Sequence, residues 1–234
     1  MQTFIVGLSL GQTQDTTALC ILEQTKHDTG DVWRGMPSMI YWENGCMIGG
    51  EVDTHPVYEH AYAVRHLERL AAGTPYPEQV SKTRVLVSRL EKQNGHVSLM
   101  VDQTGVGRPV TDMLRAAKLR PHAAVVTGGD TPSHEGDEYR IPKRDLVSSS
   151  QVLLQSKRLT IASSLSLAQA LIGELLAFKA TITLQRENSS APPEPWRERM
   201  HDDLVLAVAL AAWYGENQSG TTDPRLARRI AGGY

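Results

Sequence analysis

The most telling segment of the chain is His201-Asp202-Asp203-Leu204-Val205-Leu206-Ala207-Val208-Ala209-Leu210-Ala211. Two adjacent carboxylates open a run that is otherwise apolar and small. On a helix, Leu204, Val208 and Ala211 share one face at i, i+4 and i+7, so the run predicts a buried helix. The free N–H groups and the dipole at a helix start favour negative charge. Two readings of the acids follow. Either Asp202 and Asp203 are first-turn acids, one of them an N-cap, or one or both bind a divalent cation. The second reading needs more acids from elsewhere in the chain.

The bulk properties narrow the classes. With 234 residues, 41% of them apolar, the chain can bury a sizeable core as one domain. We assign residues 1–214 to that domain, with 24–59 as an insertion or elaborated hairpin region, and 215–234 to a polar tail ending in Arg225, Arg228 and Arg229. No run approaches the length of about 18 apolar residues that a membrane helix needs. Met1-Gln2-Thr3-Phe4 lacks the basic and apolar regions of a signal peptide. Cys20 and Cys46 make no disulfide framework, and Cys20 sits in an apolar run as a reduced core residue. These features predict a cytoplasmic protein with no membrane partner. A net charge of -2 gives no global pull toward nucleic acid, so a nucleic-acid partner must be held by local basic patches and metal ions.

Residues 4–9 and 17–22 read as two strands joined by the turn Gly11–Asp15, an antiparallel hairpin. Residues 24–59 are polar and irregular, rich in glycine and proline, with a short apolar piece at Met39–Trp42. They are either a flap over a site or an elaborated sheet edge. Ala61–Leu70 fits a helix or a strand and is assigned as a strand, and Pro75–Lys92 reads as a helix closed by Asn94-Gly95. Val97–Val101 is a strand ended by Asp102, followed by a helix over about 109–118 and a buried strand at Ala123–Val126. Helices are expected at 142–157 and 164–178, and short strands at 159–162 and Thr181–Leu184. Asn188–Pro195 is a Ser/Pro-rich loop. This order predicts an α/β three-layer sandwich, a mixed central sheet with helices on both faces. There is no G-x-x-x-x-G-K-[ST], so nothing supports a P-loop ATPase, and Gly105-Val-Gly107 lacks the third glycine of a dinucleotide fingerprint.

Asp102 ends a buried strand, where open α/β sheets place ligands. It reads equally as a turn aspartate bonding its own loop. If Asp102 and Asp203 converge, they make a pair of hard oxygen ligands suited to Mg²⁺ or Mn²⁺ rather than zinc. His201 is either a further ligand or a flanking polar residue. Arg140, Lys143 and Arg144 precede a helix and form a candidate phosphate patch, or else a solvated helix start. Trp196 reads as a hydrophobic anchor for its loop.

Four segments together resemble one family. Gly7-Leu-Ser-Leu-Gly11 with Asp15-Thr-Thr-Ala18, then Val101-Asp102-Gln-Thr-Gly-Val-Gly107, then Ile141-Pro-Lys143-Arg-Asp145-Leu, then His201-Asp-Asp-Leu-Val-Leu-Ala207 are similar to the nuclease domain of phage terminase large subunits. The similarity spans nearly the whole chain. It implies the RNase H-like fold shared with RuvC-type resolvases. It also implies a two-metal DNA endonuclease using Mg²⁺ or Mn²⁺, in which the ions activate water and stabilise the leaving oxygen. By resemblance Asp102 is the second acid of the site and Asp203, with Asp202, the third. Double-stranded DNA is the implied substrate, a terminase ATPase, portal or small subunit the implied partner, and a bacterial host cell, by way of a phage or prophage, the implied setting.

The chain departs from the family pattern at Ser9, where an aspartate is expected. A neutral hydroxyl is a poor substitute for a carboxylate that bridges two cations. Asp15, six residues on, reads as a turn residue. Either this is a variant with crippled cleavage, or another acid (Glu23, Glu51 or Asp53) completes the site. Full terminases also carry a motor ahead of the nuclease, whereas Met1 begins at the nuclease. That implies a fragment, a separately encoded nuclease or a domesticated relative. Two rival readings therefore stand beside the endonuclease: a non-catalytic DNA-binding or assembly module of the same fold, and a Holliday-junction resolvase acting as a symmetric dimer.

Overall fold

The computed structural model describes residues 2–11, 15–37, 40–43, 46–49, 52–105, 108–129, 131–187 and 202–218. His201, Trp196 and the C-terminal arginines lie outside the described residues, as does the loop 188–195.

Among the described residues, eight strands form one mixed sheet. They are β1 (Thr3–Ser9), β2 (Thr17–Pro37), β5 (Val52–Leu70), β6 (His96–Asp102), β7 (Pro121–Thr127), β8 (Ser133–Glu135), β9 (Glu138–Pro142) and β10 (Leu159–Ile161). Two more, β3 (Ile40–Glu43) and β4 (Cys46–Gly49), pair only with each other. The spatial order is β10-β5-β2-β1-β6-β7-β9-β8. β1 pairs antiparallel with β2, and β2 antiparallel with β5. The pairs β1·β6, β6·β7, β7·β9 and β10·β5 are parallel. As a result β1, β5, β6, β7 and β9 all end at one edge of the sheet.

Alternation along the strands divides the core into two. Phe4, Val6, Leu8 and Leu10 pack with Leu99 and Val101 against α1 (Tyr76–Lys92) and α2 (Arg108–Ala116). Ile5, Cys20, Met100 and Ala124 pack on the other face with α5 (Asp203–Gln218), joined by Leu146 and Leu153 of α3 (Lys143–Gln155) and Leu171 of α4 (Ala168–Glu187). This is the mixed sheet covered on both faces that the sequence predicts, the arrangement of an RNase H-like three-layer sandwich. No described helix is long and apolar enough to cross a membrane.

α5 is buried along nearly its whole length, from Leu204 to Gly215. It comes unusually close to β1. A Cβ built on Gly7 would lie 2.0 Å from the Ala207 carbonyl oxygen, so only glycine allows this approach. The central position of α5 explains why its residues are apolar all round instead of striped.

One sequence expectation needs correction. Thr181–Leu184 is helical, part of α4. Two threonines at alternate positions suggested a strand, but no glycine or proline interrupts the chain between Gly173 and Glu187, so the helix continues. The described part of residues 24–59 has the form of an elaborated hairpin. β2 and β5 run on beyond β1 as a two-stranded ribbon paired from Thr25↔Ala61 to Pro37↔Val52. Its glycines and prolines sit at register shifts between Asp28 and Val32 and between Arg34 and Pro37. Because Thr3 pairs with Gln24, the ribbon leaves the sheet where β1 begins, at the end opposite Ser9. It is therefore no flap over that end. The hairpin β8–β9 has no counterpart in the sequence reading; its two-residue turn uses Gly136 at φ 58°.

Candidate functional site

The strand ends build the site. Ser9 pairs in register with Asp102 across β1 and β6, with Ala18 of β2 on its other side and Ala124 of β7 beyond Asp102. Neighbouring strands lie about 4.8 Å apart, so Ser9 and Asp102 are lateral neighbours. Both belong to the α5 face, because Ile5, Gly7 and Ser9 alternate on it, as do Met100 and Asp102. Both are buried, Asp102 completely. Asp102 Oδ1 accepts the Thr104 N–H at 2.8 Å, and the Thr104 hydroxyl accepts the Val126 N–H at 2.8 Å. The turn role read from the sequence is present, at a position that also faces the candidate site.

The start of α5 lies over the same edge. The Asp202 carbonyl accepts the Leu206 N–H at 2.9 Å, which makes Asp202 the N-cap residue and Asp203 the first helical one. Asp203 accepts a hydrogen bond from the Thr16 hydroxyl in the β1–β2 connection. That connection is held from within. The Gly11 N–H donates to Thr17 Oγ1 at 2.9 Å, and the Thr17 hydroxyl donates to buried Gln79 at 3.0 Å. A Cβ on Gly11 would lie 2.4 Å from the Asp15 and Thr16 carbonyl oxygens.

Glu174 of α4 is the residue that sequence reading missed. Its Oε2 accepts the Val205 N–H at 3.0 Å, capping α5 from a different helix. Its Oε1 is paired with Arg69, which stands opposite Ala18 near the end of β5. The one signal in the sequence is an isolated acid in the apolar run Leu171-Ile-Gly-Glu174-Leu-Leu. Burial raises the Glu174 carboxyl above its usual range, against the opposing pull of the Val205 N–H and Arg69, with Asp203 adding repulsion.

Lys143, first residue of α3, faces Asp202. Burial pushes Asp202 up to about 6; Lys143 opposes the shift, and Asp203 and Glu174 reinforce it. Burial lowers Lys143, and Asp202 opposes that. Asp202 therefore binds its proton more tightly folded than unfolded. Its contribution to stability is complete below the ordinary aspartate range near 4 and is lost as pH rises through about 6. Asp202→Asn removes this titration. The variant is expected to gain stability relative to the parent between pH 4 and pH 7, by about 2 kcal/mol at the upper end. Urea unfolding at the two pH values measures the difference; equal gaps at both would mean that Asp202 titrates normally.

The other sequence candidates fall elsewhere. Arg140 is exposed on β9 and Arg144 is exposed beside Asp145, 3.5 Å away. Glu23 pairs with Arg65 at 2.6 Å and stands opposite Phe4, at the far end of β1 from Ser9. Asp15 is exposed. Glu51 and the Asp53 side chain lie outside the described residues.

Asp102 and Asp203 are hard oxygen donors of the kind Mg²⁺ and Mn²⁺ take. The set around them does not match what two ions require. A hydroxyl stands at Ser9, the charge of Lys143 acts on Asp202, and Arg69 pairs with Glu174. Among the described residues, no three His, Cys, Asp or Glu side chains are grouped to share one ion.

No family model and no curated protein matches the chain. Among solved structures it resembles the large terminase nuclease from thermophilic phage G20c, at 18% identity and a TM-score of 0.48, over 90% of this chain and 81% of that one. It also resembles the human cytomegalovirus terminase nuclease domain, soaked with Mn, at 10% identity and a TM-score of 0.47, over 90% and 82% of the two chains. Thermus thermophilus RuvC is similar at 13% identity and a TM-score of 0.35, over 93% and 97%. What the sheet edge can do follows from its own residues.

Proposed function

We propose that this chain is a DNA-binding module on an RNase H-like sheet, with a metal-binding edge left incomplete at Ser9. The observation that carries the reading is the register pair Ser9↔Asp102 on the α5 face: a hydroxyl occupies the place where a shared carboxylate would be needed. Lys143 opposes the charge of Asp202 and Arg69 pairs with Glu174, so two of the four acids at this edge are answered by the chain's own cations. Duplex DNA would be met by the exposed Arg140 and Arg144 beside this edge, through its phosphates.

A second reading, a Mg²⁺- or Mn²⁺-dependent DNA endonuclease of terminase type, draws on one observation. Asp102 and the Asp203 end of α5 share one edge and one face of the sheet. Asp102 and Asp203 would be its ligands, with Asp202 assisting.

Plasmid nicking with Mn²⁺ and with Mg²⁺, beside duplex binding by fluorescence anisotropy, separates the two. The parent chain is expected to bind duplex and to nick near background. Arg140→Ala with Arg144→Ala should weaken binding several-fold and flatten its salt dependence. Ser9→Asp should raise Mn²⁺-dependent nicking by about tenfold or more, and adding Asp203→Ala should remove the gain. A parent that cuts as well as Ser9→Asp would establish the endonuclease reading with another group at the first position. A parent that binds no duplex would end the module reading.

A further inference from the structure

We infer that the β2–β5 ribbon is a docking arm for a second protein with a basic surface. It extends past the sheet for thirteen residues of β2, from Thr25 to Pro37, or about 40 Å. An isolated two-stranded ribbon is marginal in water unless something packs on it. Here every described side chain from Thr25 to Val32 is exposed, and so are Thr54, His55, Pro56 and Glu59. Val32 is 55% exposed.

Charge decides the class of partner. Residues 24–59 carry six carboxylates (Asp28, Asp31, Glu43, Glu51, Asp53 and Glu59) against two cations, Lys26 and Arg34. Lys26 is held over the Tyr58 ring, 3.8 Å from its centre. An arm of this sign is repelled by phosphates and attracted by lysine and arginine. The sequence toward its end carries Trp33, Met36, Tyr41, Trp42 and Met47, the residue types enriched where proteins bury interfaces. The arm leaves the sheet at the end opposite Ser9 and Asp102, so a protein bound there leaves that edge open. The inference stands independently of what the edge does.

The test uses a fluorescent amphipathic peptide of alternating lysine and leucine blocks as probe, with duplex DNA and a sizing measurement in parallel. One variant joins Asp28 to Tyr58, which are paired in register, through Asn-Gly, removing the outer arm. A second keeps the arm and carries Asp28→Asn, Asp31→Asn and Glu59→Gln. The intact chain is expected to bind the peptide. Shortening should weaken that binding about tenfold or more, and the charge variant several-fold with a shallower salt dependence, while duplex affinity stays unchanged. Three results would overturn the inference. They are no binding of the peptide by the intact chain, a loss of duplex affinity on shortening, and an intact chain that is a dimer where the shortened one is a monomer.

Discussion

Gly7→Ala destabilises the protein by about 3 kcal/mol or more, lowering the melting temperature by roughly 6–12 °C for a domain of this size. The cause is backbone against backbone. A methyl group at residue 7 would lie 2.0 Å from the Ala207 carbonyl oxygen and 2.9 Å from Cys20 Sγ. No rotamer relieves a clash with a main-chain oxygen, so α5 must lift from β1. Lifting it opens the contact that buries Ile5, Cys20 and Met100 and shifts Asp203 away from Thr16. Gly128→Ala is the control, since nothing lies within 4 Å of a Cβ there. If the two variants melt within a degree or two of each other, α5 does not press on β1 as described.

Glu216→Ala is expected to cost about 3–5 kcal/mol, the range for breaking one half of a buried ion pair. Glu216 receives Arg158 Nη1 at 3.0 Å, Nη2 at 2.7 Å and the Tyr62 hydroxyl at 2.9 Å. The two side chains are only 9% and 10% exposed. Truncating Glu216 leaves a guanidinium buried with the His60 carbonyl as its main partner, 2.8 Å away. The double variant Arg158→Met, Glu216→Leu should cost much less than the single one, because apolar groups of similar size replace a buried pair at little net loss. Urea unfolding of parent, single and double variants reads this directly. A single variant within 1 kcal/mol of the parent would show the pair to be solvated.

The sheet covered on both faces was legible because its central strands and last helix are apolar runs. Residues 4–8 are apolar or glycine without a break, as in a strand covered on both faces, and α5 is too apolar to lie anywhere but inside. The site was legible where an acid ends a strand or starts a helix, as Asp102, Asp202 and Asp203 do. It was not legible where the acid acts across the fold. Glu174 caps α5 from α4, and nothing in its own helix says which neighbour it will meet. Lys143 read as one of three residues of a surface patch, yet its charge acts on Asp202 because α3 begins at the edge where β9 ends. The ribbon was legible as an elaborated hairpin region but its long pairing was not, because glycine and proline mark loops only on average. Register shifts absorb them in a strand pair that has no third neighbour to disturb.

The position of α5 has a consequence for how the chain reaches this state. Residues 203–218 close over strands that begin at residue 3, so contacts separated by nearly the whole chain complete the core. Such high contact order makes folding slow. On the ribosome, β1, β2 and β6 are finished long before their cover is made, and Ile5, Cys20 and Met100 wait uncovered for it. Synthesis runs at about 5–20 residues per second, which leaves the half-built sheet exposed for several seconds. Refolding yield should therefore fall steeply with protein concentration, and a holding chaperone should recover it.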